Sequence, residues 1–265
     1  MTLCAYVDGI GVLGPGFRNW SEAAAVLSGI QAYQPAVAVL PMPTILAAAE
    51  RRRTGRVVKL ALAVALEATS QAGANPAHLA SVFSSSGGDG HNCHEICQAL
   101  SLAGREISPT RFANSVHNAA AGYWSIATGA MAESNVLCAF DASFTAGLLE
   151  AMTQVVVDRE PVLLVAYDTE YPQPLHAKRP MPDAFGVALV LSAEQSAVSL
   201  ARLQGELSTK GFDTLHDPTL EALRRAIPAA RCLPLLRRLA LREPGLVILE
   251  YLDVSRMQLQ IDPCV

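Results

Sequence analysis

Charge is scarce in this chain, and several functions that depend on charge go with it. Asp, Glu, Lys and Arg make up 17% of its 265 residues and the net charge is −4, so no general polyanion-binding surface is expected. One basic clump exists, Arg51-Arg52-Arg53 with Arg56 and Lys59 close behind, and no nucleic-acid partner is expected from it. No apolar run approaches the roughly 18–20 residues that cross a bilayer. The longest, Leu60 to Leu66, suits a buried helix, so no membrane span is expected. The opening residues lack the basic segment and cleavage site of an export signal, which leads us to expect a strand starting at once and a cytoplasmic location. Six cysteines (Cys4, Cys93, Cys97, Cys138, Cys232 and Cys264) show no framework spacing and are expected to stay reduced. Against these shortages, 51% of the residues are hydrophobic. That is enough for a packed core and argues against disorder.

Strand and helix signals alternate along the chain. Leu3–Asp8 reads as a strand stopped by a turn at Gly9-Ile10-Gly11. Ser21 can cap a helix over Glu22–Ser28, and Pro35, Pro41 and Pro43 make the next stretch irregular. Val57–Ala72 is rich in Ala and Leu, has no breaker, and ends at Gly73; it is expected to be a buried helix. Val82–Ser86 reads as a strand running into Gly87-Gly88-Asp89-Gly90, with a helix across Glu95–Ala103. A small-residue helix at Ala119–Ala130 precedes a buried strand at Asn135–Phe140 and a helix at Phe144–Val157. Val162–Tyr167 and Phe185–Leu191 are continuous apolar runs of inner-strand type. The tail differs, with a basic helical piece at Leu220–Arg242 followed by two strands, Leu246–Asp253 and Arg256–Ile261. Such alternation implies an α/β layered fold.

Four clusters carry potential chemistry. Gly9-Ile10-Gly11-Val12-Leu13-Gly14 has dinucleotide-fingerprint spacing. That motif also needs a helix opening at its third glycine and an acidic residue about twenty positions on. Pro15-Gly16 follows instead, and no Asp or Glu lies between Ala23 and Ala49, so a glycine-rich turn is the reading and no cofactor is expected. His91, Cys93, His94 and Cys97 offer soft ligand atoms, but zinc sites usually draw on two separated pairs; no metal site is expected. Phe140-Asp141-Ala142-Ser143 closes a strand and opens a helix, where nucleophiles often sit because helix N-terminal amides stabilise an anion. Asp141 is also a good N-cap, and capping is the preferred reading. His117 and Asn118, with Ser143, could form a polar pocket beside it.

Taken in order, these pieces resemble the N-terminal half of a β-ketoacyl synthase of the thiolase fold. The opening strand with Gly9-Ile10-Gly11, the basic-then-helical stretch Arg51–Ala72, Asn118-x-x-x-Gly122 followed by Asn135–Ala151, and Asp183-Ala184-Phe185-Gly186-Val187 all have counterparts in that family. The resemblance covers roughly residues 3–195. It implies a thiolase-like layered fold truncated to about its N-terminal half, with residues 196–265 as a helical and hairpin extension packed on the same domain.

The departures are informative. Where the family places its nucleophilic cysteine this sequence has Asp141, and neither of the family's two C-terminal catalytic histidines has a counterpart. No catalytic residue is therefore assigned. Within the family, such inactive chains act as chain-length factors that pair with an active ketosynthase. The resemblance implies that kind of subunit in fatty-acid or polyketide-type (polyene) biosynthesis, meeting an acyl carrier protein through the complex. It also implies an interface through Asn135, Val136, Leu137, Cys138, Ala139 and Phe140. Arg111, Phe112, Ser115 and Val116 would line the partner's acyl tunnel. The competing expectation is a stand-alone acyl or thioester hydrolase using Ser143 or His117 with Asp141.

Overall fold

Apolar strands and Ala/Leu-rich helices close into a single eight-stranded sheet covered on both faces, as seen in a computed structural model that describes residues 2–264. In chain order the elements begin with β1 (Leu3–Leu13), α1 (Trp20–Leu27), α2 (Ala48–Arg51), α3 (Arg56–Ala72), β2 (Ala80–Ser84) and α4 (Gly90–Ser101). Next come α5 (Pro109–Ala113), α6 (Ala119–Thr128), β3 (Ser134–Leu137), α7 (Ser143–Asp158), β4 (Val162–Asp168) and α8 (Leu175–Lys178). The chain ends with β5 (Phe185–Ser192), β6 (Ala201–Ser208), α9 (Pro218–Ala226), α10 (Leu233–Leu241), β7 (Gly245–Glu250) and β8 (Arg256–Pro263). Strand order is β3-β2-β4-β5-β1-β6-β8-β7. β2 runs parallel to both β3 and β4, and the other pairings are antiparallel.

The strands divide the core by their two-residue period. Leu163, Val165, Tyr167, Ala188 and Val190 face α3 and α6. Val162, Leu164, Ala166, Val187, Leu189 and Leu191 face the opposite way, toward α7 and α10. Both faces are covered, which is why these strands read as unbroken apolar runs. β6, β8 and β7 continue the same sheet, so residues beyond 196 add strands to it directly. Among the described residues no helix is long and apolar enough to cross a membrane.

Several elements depart from the sequence expectations. Gly9-Ile10-Gly11 is not a turn; β1 runs through it to Leu13. A Cβ on Gly9 would collide with the Ala68 carbonyl oxygen and one on Gly11 with that of Val64, so these glycines let α3 lie directly on the strand. Beyond Val7, β1 has no β6 partner. Side chains of α3 take over: Ile10 N donates to Gln71 Oε1 (2.7 Å) and Val12 N to Glu67 Oε2 (2.9 Å). The first helix starts at Trp20, capped by Asn19, whose Oδ1 accepts from Glu22 N, and not by Ser21. The basic piece Leu220–Arg242 breaks at Ile227, because Pro228 has no N–H to continue α9, and α10 follows a 3-10 turn.

The strand expected at Asn135–Phe140 spans only Ser134–Leu137, and it is a partly exposed edge strand. Glu133 and Leu137 carbonyls accept from Ser81 and Ser85 of the β2 side. Alternation then turns the backbone groups of Ser134 and Val136 outward, where among the described residues they meet no other strand. The opposite edge is covered at its centre: Asp213 N donates to Ile248 O and Asp213 Oδ2 accepts from Ile248 N, both at 2.8 Å.

Gly11→Ala should lower stability by about 1–3 kcal/mol, the usual range for overpacking a tight contact. Gly122→Ala, in open space on α6, should raise it by up to about 1 kcal/mol. Urea denaturation of the two variants checks this contrast; equal stabilities would mean that α3 does not rest on β1 as described.

Candidate functional site

Between β3 and α7 the chain makes a tight elbow. Phe140 has φ 50°, a left-handed conformation that costs a bulky residue on the order of 1–2 kcal/mol. A 3-10 turn over Phe140–Ala142 leads into α7. The buried Ser143 hydroxyl pins this geometry: it accepts from Ala139 N (3.0 Å) and donates to Phe140 O (2.7 Å).

Asp141 does not cap α7, whose N-cap position is Ala142 without a side-chain bond. Its carboxylate is taken by two guanidinium groups instead. Arg179 Nη2 lies 2.7 Å from Oδ1 and Arg231 Nη2 lies 2.9 Å from Oδ2. Charge-assisted bonds of this kind are about twice as strong as neutral ones, so they outcompete the helix amides. The pairing continues through Arg231 Nη1 to Glu250 Oε1 (3.1 Å) and from Glu250 to Arg224, which also holds Glu221 (2.7 Å). One ladder of alternating charge thus runs from the elbow to β7 and α9. The Arg179 guanidinium also stacks on the Phe140 ring, 3.8 Å from its centroid.

A buried carboxylate braces the neighbouring loop. Asp168, at the end of β4, accepts through Oδ1 from Ser86 N (2.8 Å) and Ser86 Oγ (2.6 Å), and through Oδ2 from Ala229 N (2.9 Å). Full burial raises its pKa to about 6, even though these donors pull the other way. His117 Nε2 lies 3.3 Å from Ser85 O, and the exposed Cys138 thiol donates to Ser86 O over 3.3 Å. Tyr171 packs against Gly87 and Gly90, where a Cβ would strike its hydroxyl and its ring respectively.

The residues named for a hydrolase are therefore not brought together. Ser143 spends its hydroxyl on the elbow backbone, His117 sits at a carbonyl, and Asp141 faces two arginines. Among the described residues, no general base lies within hydrogen-bond reach of Ser143 Oγ. Arg111 and Phe112 are on the exposed α5, where Arg111 pairs with Glu95 (3.2 Å) and Phe112 projects outward, 65% exposed. Ser115 Oγ donates to Phe112 O (2.8 Å). Val116 and Asn118 line an open groove of about 500 Å³ together with Gly122 and Ile126 of α6. On β3, Asn135 Nδ2 donates to Glu150 Oε1 (3.0 Å), and Val136 and Leu137 are half-buried. The basic clump is partly neutralised, Arg53 by Glu50 and Arg56 by Glu170. His91, Cys93, His94 and Cys97 lie along α4, and among the described residues no group of three or more potential metal ligands converges.

Residues 17–236 match the family described as β-ketoacyl synthase, N-terminal domain. The chain belongs to this family. Its fold is shared by solved structures that it matches almost end to end. A ketosynthase (ApeO) in complex with its chain length factor (ApeC) from Xenorhabdus doucetiae gives a TM-score of 0.72 at 24% identity, covering 97% of this chain and 99% of that one. The ishigamide ketosynthase/chain length factor gives 0.72 at 15% identity, covering 98% and 99%. A type II polyketide acyl-carrier protein in complex with its ketosynthase gives 0.78 at 10% identity, with both chains fully covered. These likenesses establish a thiolase-like ketosynthase fold. No curated protein matches the sequence.

In this ketosynthase-family chain, sequence reasoning missed Arg179, Arg231, Glu250 and Asp168. The available signal was an aspartate ending an otherwise apolar strand at Tyr167-Asp168.

Because the folded pKa of Asp168 lies above the ordinary carboxylate value, its burial costs stability above about pH 6. That cost is relieved as pH falls from 6 toward 4. The stability of the unaltered chain minus that of Asp168→Asn should therefore be larger at pH 4 than at pH 7 by about 2 kcal/mol. Denaturant titrations at the two pH values measure it, and a pH-independent difference would contradict the buried ionisation.

Proposed function

We propose that this chain is a non-catalytic, chain-length-factor-like subunit that pairs with an active ketosynthase. The observation that carries the reading is the carboxylate of Asp141 held between Arg179 and Arg231. A ketosynthase needs a free thiolate at such an elbow to accept an acyl group. A carboxylate would give a mixed anhydride no more stable than the thioester it came from, and here both of its oxygens are already engaged. The alternative hydrolase gains no support, since its three residues point to separate partners.

The open β3 edge supports pairing. An unpaired edge is a hazard that proteins normally manage; this chain covers Ile248 of β7 with Asp213 and leaves Ser134 and Val136 of the short β3 without a partner strand among the described residues. We propose Asn135–Phe140 as the strip that meets the ketosynthase, with α5 carrying Arg111 and Phe112, and the turn after it Ser115 and Val116, toward the partner's acyl tunnel. Residues 1–195 supply the ketosynthase-like domain in this reading, and 196–265 an extension that completes one face of it. A pathway of fatty-acid or polyketide type, including polyenes, and an acyl carrier protein met through the complex, are consistent with the solved relatives named above. The ketosynthase supplies the chemistry and this chain shapes the space.

Co-expression with the cognate ketosynthase should give a single heterodimer by size-exclusion chromatography, burying more than about 2,000 Å² as stable pairs do. In that complex Phe112→Ala should shift products toward longer chains, since it frees room for one or two methylenes at about 0.8 kcal/mol each. A dispersed chain that ignores the ketosynthase would contradict the pairing. Unchanged products from both Phe112→Ala and Arg111→Ala would move the tunnel wall elsewhere.

A further inference from the structure

We infer that Phe140 is the anchor by which this chain grips its ketosynthase partner, and that Asp141 and Arg179 are positioning residues that hold it in place. The inference rests on the pairing proposed above and assigns the interface a centre.

Phe140 combines two features that its stacking on Arg179 alone does not explain. Its ring is 62% exposed, and its backbone sits in the left-handed region at φ 50°. A turn alone would be better served by glycine or asparagine, which adopt that conformation at little cost. An aromatic placed there points to selection for the side chain it displays. The location fits as well. Phe140 follows the last residue of β3 by three positions, so it emerges at the end of the strand whose outer edge is unpaired.

The surroundings hold this display rigid. Ser143 ties the peptide groups on either side through its two hydrogen bonds. Arg179, itself largely buried, covers one face of the ring and binds Asp141 Oδ1 with the same guanidinium. Arg231 takes the other carboxylate oxygen and passes the restraint to Glu250 on β7. One face of Phe140 is therefore backed by a fixed cation while the rest of the ring stays open to solvent. A rigid aromatic with few torsions loses little entropy when it is buried by a partner. The residues that dominate interfaces are of this kind, central and pre-placed. The surface that receives it on the ketosynthase should be an apolar pocket, because Arg179 already satisfies the ring's negative face. A carboxylate at position 141 acts in this account through Phe140: it binds two guanidinium groups where a thiol could not, and so fixes the neighbouring residue.

Binding of the purified ketosynthase to the unaltered chain, Phe140→Ala, Asp141→Asn and the double variant decides the matter, with circular dichroism verifying that each is folded. Phe140→Ala should weaken binding by about 30-fold or more, and Asp141→Asn by about 5-fold. The double variant should bind no more weakly than Phe140→Ala alone, because Asp141 has nothing left to position. Phe140→Ala binding within about twofold of the unaltered chain would overturn the anchor. Losses that multiply in the double variant would overturn the positioning role, since a purely structural aspartate acts whichever residue stands at 140. Failure of the unaltered chain to bind would overturn the pairing itself, and this inference with it.

Discussion

The carboxylate of Asp141 sits where three parts of the molecule meet, and its two arginines are what join them. Arg179 comes from the segment between α8 and β5, and Arg231 from the 3-10 turn after α9. Through Glu250 the same ladder reaches β7, so the elbow between β3 and α7 is bonded to the C-terminal strands of the sheet. Arg224 is almost completely buried and is matched by Glu221 and Glu250. Buried charges endure only when paired and hydrogen-bonded, and here the pairing also registers the C-terminal strands against the ketosynthase-like elbow. Asp141 is a structural joint between the elbow and the C-terminal part of the chain.

A second constraint is steric. α3 can lie on β1 only because Gly9 and Gly11 present no side chain to it, and Glu67 and Gln71 then satisfy the strand amides that lack a neighbour. Those contacts fill one face of the sheet with α3 and α6. The other face is filled by α7, α10 and the 3-10 turn beside it. With both faces covered and Ile248 of the β7 edge bonded to Asp213, the β3 edge is left open with the exposed apolar residues Met131 and Phe140 flanking it.

Much of this architecture was legible in the sequence, because the core elements are long and locally consistent. Val57–Ala72, Phe144–Val157, Val162–Tyr167 and Phe185–Leu191 each emerge within a residue or so of the expected span. The family itself was legible from the order of short motifs around Asn118, Gly122 and Asp141. What failed was local inference about residues whose partners are remote. Gly9 and Gly11 read as a turn because nothing nearby in sequence announces a helix about 55 residues later packing on their backbone. Asp141 read as a helix cap because its real partners lie 38 and 90 positions away. Val136 to Phe140 looked buried because it is apolar, yet the chain alone leaves it at an edge. Pro228 splits the basic helix because the helical periodicity of Leu220–Arg242 continues across it while the backbone hydrogen bonding, for want of its N–H, does not.

Hydrogen–deuterium exchange on this chain, with and without its ketosynthase, tests the central claim most directly. Backbone amides of Ser134 and Val136 face away from β2, so pairing across that edge gives them hydrogen-bond partners they otherwise lack. The account predicts that exchange over Ser134–Phe140 slows strongly on adding the ketosynthase, while β7, whose Ile248 is already bonded to Asp213, stays as it was. Complex formation that leaves Ser134–Phe140 exchanging at its free rate, or that protects β7 instead, would contradict it.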